Sequence, residues 1–229
     1  RLYEELGTRT CMKYLEALNF KGLDKKDYKY NTTCLGGFTN GTTVVEMAAG
    51  YATIANDGEY RTPDCIIKIT DAKGNDIVPE DTSTKSVYSS SASRMMTSVL
   101  QSCVTEYEGT AHVCQLDVDM PAACKTGTTN NYVDGWLCGY TPYYTTAVWV
   151  GMDVYKSVDN LKGNTYPASI WTNYMNKIHQ GLPRKEFESY LGDTESTTEA
   201  TTESTEDDTE STTESTTEST EDNTAADTT

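Results

Sequence analysis

The sequence predicts an α+β fold in which helices pack on an antiparallel sheet, and three observations carry that prediction. Three apolar runs with strand-like alternation, about 122–129, 135–140 and 145–153, are separated only by the turn-forming pairs Asn130-Asn131 and Thr141-Pro142. Connections that short join antiparallel neighbours, because a parallel crossover needs a dozen residues or more. Segments with helical apolar spacing stand on both sides of the strands, which gives a layered body. Beyond Gly192 the composition changes abruptly to Thr, Glu, Ser and Asp, which predicts a disordered acidic tail over 193–229 behind a compact body over 1–192.

The body reads as follows from its first residue. Arg1 to Gly7 is the end of a helix, with Leu2, Tyr3 and Leu6 on one face and Gly7 as the residue that closes it. Thr8 then caps a second helix to about Asn19, with Cys11, Tyr14, Leu15 and Leu18 on its apolar face. Thr43-Val44-Val45-Glu46 is a capping box that opens a helix burying Val44, Met47, Ala48, Tyr51 and Ile54, stopped by Asn56-Asp57-Gly58. A hairpin is predicted from 65–69 and 76–78 around Lys73-Gly74-Asn75. The serine-rich stretch 89–93 precedes an amphipathic helix with Met95, Met96, Val99, Leu100 and Cys103 on its core side. The three strands follow, and a last helix over 169–179 carries Ile170, Trp171, Tyr174 and Ile178 before Gly181-Leu182-Pro183 ends it.

Charge excludes one class of function. The net charge is -17, but of the 35 Asp and Glu, 13 fall in 193–229, which has no Lys or Arg; 22 acids against 18 bases remain in the body. A mildly acidic body without a basic stripe has nothing to replace counterions along a phosphate backbone, so no nucleic-acid partner is expected. The tail has no aromatic residue after Tyr190 and too little apolar surface to offset chain entropy. Seven cysteines are scattered without C-x-x-C spacing and the two histidines stand alone, so no metal and no cofactor are expected. Most of the thiols are expected to act as small buried apolar groups.

The chemistry-bearing word is Lys125-Thr126-Gly127-Thr128 on the first predicted strand. A lysine there is a fixed cation beside a developing anion, threonine hydroxyls can hold a carboxylate, and a glycine lets another backbone approach. The tripeptide alone is weak evidence, since a solvated strand lysine is common. Its surroundings are specific. Asp134 and Trp136 follow, then Gly139-Tyr140-Thr141-Pro142, then Trp149-Val150-Gly151 and Asp153. Upstream stand Leu35-Gly36-Gly37, Glu46-Met47-Ala48-Ala49-Gly50-Tyr51-Ala52-Thr53 and Gly109-Thr110-Ala111.

These motifs resemble the C-terminal part of the transpeptidase domain of class A (bifunctional) penicillin-binding proteins, over nearly all of 1–191. The resemblance implies the serine β-lactamase/penicillin-binding-protein-like fold and a D,D-transpeptidase that cross-links peptidoglycan stem peptides through an acyl-serine. β-Lactam antibiotics would occupy the same site, at the extracytoplasmic face of a bacterial membrane, with the parent protein anchored upstream. That family assembles its site from three boxes, S-x-x-K, S-x-N and K-T-G. No serine here has Lys three residues on or Asn two residues on, so the chain is expected to begin after the nucleophile and to be inactive alone.

The resemblance carries over four residues. Lys125 would be the catalytic lysine of the third box. Thr126, Gly127 and Thr128 would bind substrate, the hydroxyls at the carboxylate and the Thr128 N–H in the oxyanion hole. Cys124 and Cys138 depart from the family pattern, which has Gly before the lysine and an aliphatic or aromatic residue two after the tryptophan. The alternatives are a degenerate module that binds peptidoglycan or β-lactam without turnover, and a D,D-carboxypeptidase or β-lactamase relative.

Overall fold

A computed structural model describes residues 2–78 and 81–190, and the acidic run expected from residue 193 onward lies outside them. Two helices open the chain, α1 (Leu2–Leu6) and α2 (Thr8–Ala17). Gly7 joins them at φ 79, ψ 139, a conformation open chiefly to glycine. Gly7, and not Thr8, is the N-cap of α2: no side chain caps it, and the Gly7 carbonyl accepts from the N–H groups of Thr10 and Cys11 at 3.1 and 3.3 Å. Met12, which the apolar spacing did not single out, is fully buried with Leu18, while Tyr14 is largely exposed and stacks on Tyr88 at 5.5 Å.

α3 (Val44–Ala55) starts with the capping box its sequence predicts. Thr43 N donates to Glu46 Oε2 at 2.8 Å and Glu46 N donates to Thr43 Oγ1 at 3.2 Å. Its deepest residues are the small ones, Ala49, Gly50 and Thr53, and Val44 is exposed, contrary to the expected face. The reason is that α3 is covered on two sides. Tyr51 and Ile54 pack on the cluster of Leu100, Ala123 and Tyr140, while Gly50 lies against Phe20 and Leu18.

Four short strands follow: β1 (Glu59–Tyr60), β2 (Ile69–Thr70), β3 (Asp76–Val78) and β4 (Lys85–Ser86). β2 and β3 form the expected hairpin, turning at Gly74 with φ +86, but residues 65–68 are not strand. β1 and β4 pair antiparallel, which the spacing did not predict.

α4 (Ser90–Thr105) is capped by Ser89, whose hydroxyl accepts from Ala92 N at 3.3 Å. Its buried residues are Ser93, Thr97, Leu100 and Val104, so the expected core face was rotated: Met95, Met96 and Val99 point outward. Thr97 is accommodated on the inner face because its hydroxyl finds two partners. Thr97 donates to Ser93 O at 2.9 Å and shares a 2.8 Å hydrogen bond with the Tyr140 hydroxyl.

The central sheet comprises β5 (Ala123–Thr128), β6 (Gly135–Tyr140) and β7 (Thr145–Val150), all antiparallel in the order β5-β6-β7. The third strand stops at Val150, short of 153. α5 (Tyr166–Ile178) begins earlier than expected, at a first turn that holds Pro167, where a missing N–H costs nothing. Ala168, Trp171 and Met175 form its inner stripe, and Ile170 and Tyr174, expected inside, are about half exposed. The Trp171 indole N–H donates to Thr146 O at 3.2 Å, so its ring is buried without an orphaned donor.

Helices cover both faces of the sheet. Ala123 and Tyr140 face α3 and α4, together with Leu100. Cys124 and Leu137 face α5, in the cluster that holds Ala168, Trp171 and Met175. This alternation sets the direction of every side chain that follows on β5.

Candidate active site

Lys125 to Thr128 occupy the last four positions of β5, an edge strand of its sheet among the described residues. Lys125 pairs with Cys138 and Gly127 with Trp136, on the α3/α4 face; Thr126 and Thr128 are on the α5 face. Thr129 N donates to Asp134 O at 3.1 Å. Antiparallel strands alternate inward and outward backbone groups, so the N–H and C=O of Thr126 and Thr128 point to the open edge. The Lys125 ammonium lies at that edge and donates to Thr126 O at 2.9 Å.

The two threonine hydroxyls have protein partners. Thr126 Oγ1 donates to Thr110 Oγ1 at 2.9 Å, and Thr128 Oγ1 accepts from Gly163 N at 3.0 Å. In the sequence Thr110 stands only as the middle residue of Gly109-Thr110-Ala111. Nothing in a spacing of 16 residues signals that its hydroxyl meets Thr126. Gly127 has little free space, since a Cβ there would approach Trp136 Cβ at 3.1 Å. Gly163 presses on the other face of the same pair: a Cβ on it would lie 2.5 Å from Trp136 O and 2.8 Å from Gly127 N.

The motif residues around the strand hold this edge in place. Asp134 Oδ1 accepts from the Trp149 indole N–H at 2.9 Å, and its Oδ2 accepts from Thr129 Oγ1 at 3.1 Å. Trp136 and Trp149 sit opposite each other with ring centroids 6.4 Å apart. Thr141 Oγ1 accepts from the N–H groups of Tyr143 and Tyr144, both at 3.2 Å, and lies 2.7 Å from His179 Nε2. His179 Nδ1 faces Met175 O at 2.7 Å, so that nitrogen donates and Nε2 accepts the Thr141 hydroxyl proton. Asp134, Trp149, Thr141 and His179 are therefore braces of the sheet.

The two cysteines that flank Lys125 carry no charge to compete with it. Burial pushes the Cys138 thiol, opposite Lys125, up to about 12. Burial also pushes Cys124 well above its ordinary value, and Cys124 shares a hydrogen bond with Cys114. Both stay thiols at neutral pH and fill space: Cys124 Sγ packs where a Cβ on Gly139 would stand, at 2.5 Å. All seven cysteines are free thiols; Cys114, Cys124 and Cys138 are buried, Cys11 and Cys103 half-buried, and Cys34 and Cys65 exposed. No group of three or more His, Cys, Asp or Glu among the described residues is arranged to hold a metal.

Comparison with known proteins agrees with this architecture. The family described as the penicillin binding protein transpeptidase domain matches residues 1–180. Penicillin-binding protein 4 of Bacillus subtilis (strain 168) is 33% identical over 171 residues, which cover 75% of this chain and 27% of the relative. Penicillin-binding protein 1A of Clostridium botulinum (strain Langeland) is 31% identical over 189 residues, covering 82% and 22%. The chain thus spans about a quarter of the length of these curated relatives. Two structures of a penicillin-binding protein of Mycobacterium tuberculosis, the second in complex with penicillin V, superimpose with TM-scores of 0.64 and 0.63 at 24% and 23% identity, covering 76% of this chain and 50% of that one. Penicillin-binding protein 1A of Haemophilus influenzae gives a TM-score of 0.64 at 21% identity, covering 81% and 33%.

Proposed function

This chain belongs to the family of penicillin-binding protein transpeptidase domains, of the class A type its motifs match, and from that premise we propose that it forms the K-T-G side of a peptidoglycan D,D-transpeptidase site. The observation that carries the proposal is Lys125-Thr126-Gly127-Thr128 on the open edge of β5. A stem peptide ending in D-Ala-D-Ala lies along that edge, and its backbone pairs with the outward groups of Thr126 and Thr128.

Each residue has a role in the proposed reaction. A serine Oγ from a segment outside these residues attacks the penultimate D-Ala carbonyl, and the terminal D-Ala leaves. The acyl group then passes to an amine of a neighbouring stem. The Thr128 N–H, outward on the edge, donates to the carbonyl oxygen as it becomes negative, together with the serine's own N–H. The Lys125 ammonium supports the proton network and the anionic substrate. The Thr126 and Thr128 hydroxyls take the terminal carboxylate, or that of a β-lactam, which enters as a mimic of the dipeptide. We place the reaction at the extracytoplasmic face of a bacterial membrane; no described helix is long and apolar enough to cross one.

The test is covalent labelling. The whole protein, treated with fluorescent penicillin, gives a band that survives denaturation, and residues 1–229 alone give none. Lys125→Ala in the whole protein lowers the acylation rate about 10²–10³-fold, the range for loss of one electrostatic stabiliser. Near wild-type acylation of Lys125→Ala ends the assignment. Reversible binding without a covalent band makes the domain a degenerate binding module.

A further inference from the structure

We propose that Thr110 is a positioning residue for carboxylate recognition, acting through the Thr126 hydroxyl; this rests on the transpeptidase reading of Thr126 given above. Thr126 Oγ1 donates to Thr110 Oγ1 at 2.9 Å. Each hydroxyl carries one proton and two acceptor sites and turns to suit its partners. A carboxylate only accepts. When one arrives, Thr126 turns its proton to the ligand, and its oxygen is then free to accept from Thr110. The result is a chain from Thr110 O–H to Thr126 O–H to carboxylate, in which each bond polarises the next.

Thr110 is built to do this because its backbone is fixed. Ala111 N donates to Cys103 O at 3.0 Å and Gly109 N to Glu106 O at 2.9 Å, which folds 109–111 back onto the end of α4. The fold-back is tight enough that a Cβ on Gly109 would stand 2.3 Å from Cys103 O. Ala111 is fully buried beside Cys114 and Cys124, so the segment is locked to β5 from behind. Thr126, by contrast, is only partly buried and ends on an edge strand, where a lone threonine side chain has several staggered wells open to it. The Thr110 contact selects the well in which its hydroxyl is presented.

The experiment uses the whole protein and a pair of β-lactams, one with the ring carboxylate and one with that group esterified. Thr110→Val lowers acylation by the carboxylate compound about five- to tenfold, near the worth of one hydrogen bond between neutral groups. The loss falls on the concentration dependence, while the limiting rate is kept. The esterified compound is acylated as in wild type, Thr110→Ser restores the loss, and Thr110→Val adds nothing in a Thr126→Val background. If Thr126→Val itself leaves carboxylate selectivity unchanged, the underlying role of Thr126 fails and Thr110 falls with it. If Thr126→Val is impaired but Thr110→Val is not, the site reading stands and this inference is overturned. Equal loss on both compounds, or additivity with Thr126→Val, likewise overturns it by making Thr110 merely structural.

Discussion

Trp149 Nε1 donates to Asp134 Oδ1 at 2.9 Å, so the carboxylate just before β6 is bound to the tryptophan near the end of β7. An aspartate close to the Lys125–Thr128 strand invites a catalytic role, but both of its oxygens are engaged in holding the sheet together. Asp134→Ala strands a half-buried indole donor and frees the Thr129 turn, which costs about 1–3 kcal/mol. Asp134→Asn keeps one acceptor oxygen and loses less than half of that. Chemical denaturation of the two variants orders them; equal stability of Asp134→Ala and wild type refutes the brace.

The Thr141 hydroxyl serves three partners, and Thr141→Val removes all of them. His179 Nε2 then lacks a partner in a buried corner and two part-buried N–H groups lose theirs, at a cost of about 2 kcal/mol. Thr141→Ser keeps the oxygen and stays near wild type. Thermal melting of the pair is the measurement, and a Val variant as stable as the Ser variant contradicts the account.

Alkali should unfold this domain through its buried thiols and phenol. Burial pushes Cys138 from 9.0 to about 12 and Tyr140 from 10.0 to about 12. The folded state keeps these protons when the unfolded state has lost them. The stabilisation is complete below pH 9.0 and is lost as pH rises towards 12. Each such group contributes a slope of about 1.4 kcal/mol per pH unit once its unfolded value is passed. Between pH 9 and 10 the cysteines act first, and Cys138→Ala reduces the slope there. A stability curve flat through that interval, or unchanged in the variant, is the contrary result.

Gly163→Ala probes the loop that presses on β5. Its φ is not in the left-handed region, so the cost is steric alone: a Cβ at 2.5 Å from Trp136 O and 2.8 Å from Gly127 N meets backbone that has nowhere to go. Overpacking of this kind costs about 1–3 kcal/mol. Gly163 N also donates to Thr128 Oγ1, so the shift reaches the proposed substrate edge, and on that proposal acylation of the whole protein falls with stability. Gly41→Ala, at a glycine with open space around it but a φ of +70, loses stability without loss of acylation.

The strands were legible because alternation and two-residue turns leave few choices, and β5, β6 and β7 appear within a few residues of their expected ends. The capping box at Thr43 and Glu46 was legible because its chemistry is local. The helix faces were not. On α4, Met95, Met96 and Val99 outrank Ser93 and Thr97 on any apolar scale, yet Ser93 and Thr97 are the buried ones: Ser93 packs by Gly58, and Thr97 finds a partner in Tyr140. The same held on α3, where Ala49, Gly50 and Thr53 are innermost because a second layer covers them. Lys125 to Thr128 could be found as a word, but the contacts of Thr126 and Thr128 join segments 16 and 35 residues away and become visible only in the folded chain.

On β5 the two chemistries are interleaved residue by residue, with ammonium and glycine on one face and hydroxyls on the other. Ala123 and Cys124 fix which face is which, since both are completely buried on opposite sides. A single codon inserted between Cys124 and Lys125 therefore exchanges the faces, turning the ammonium towards α5 and the hydroxyls towards α3 and α4. Two inserted codons restore the faces but carry the whole group along the edge by about 7 Å, out of reach of Thr110 and Gly163. A change in the number of residues between Cys124 and Lys125 is therefore harsher than any single replacement there, because it moves every side chain of the group at once.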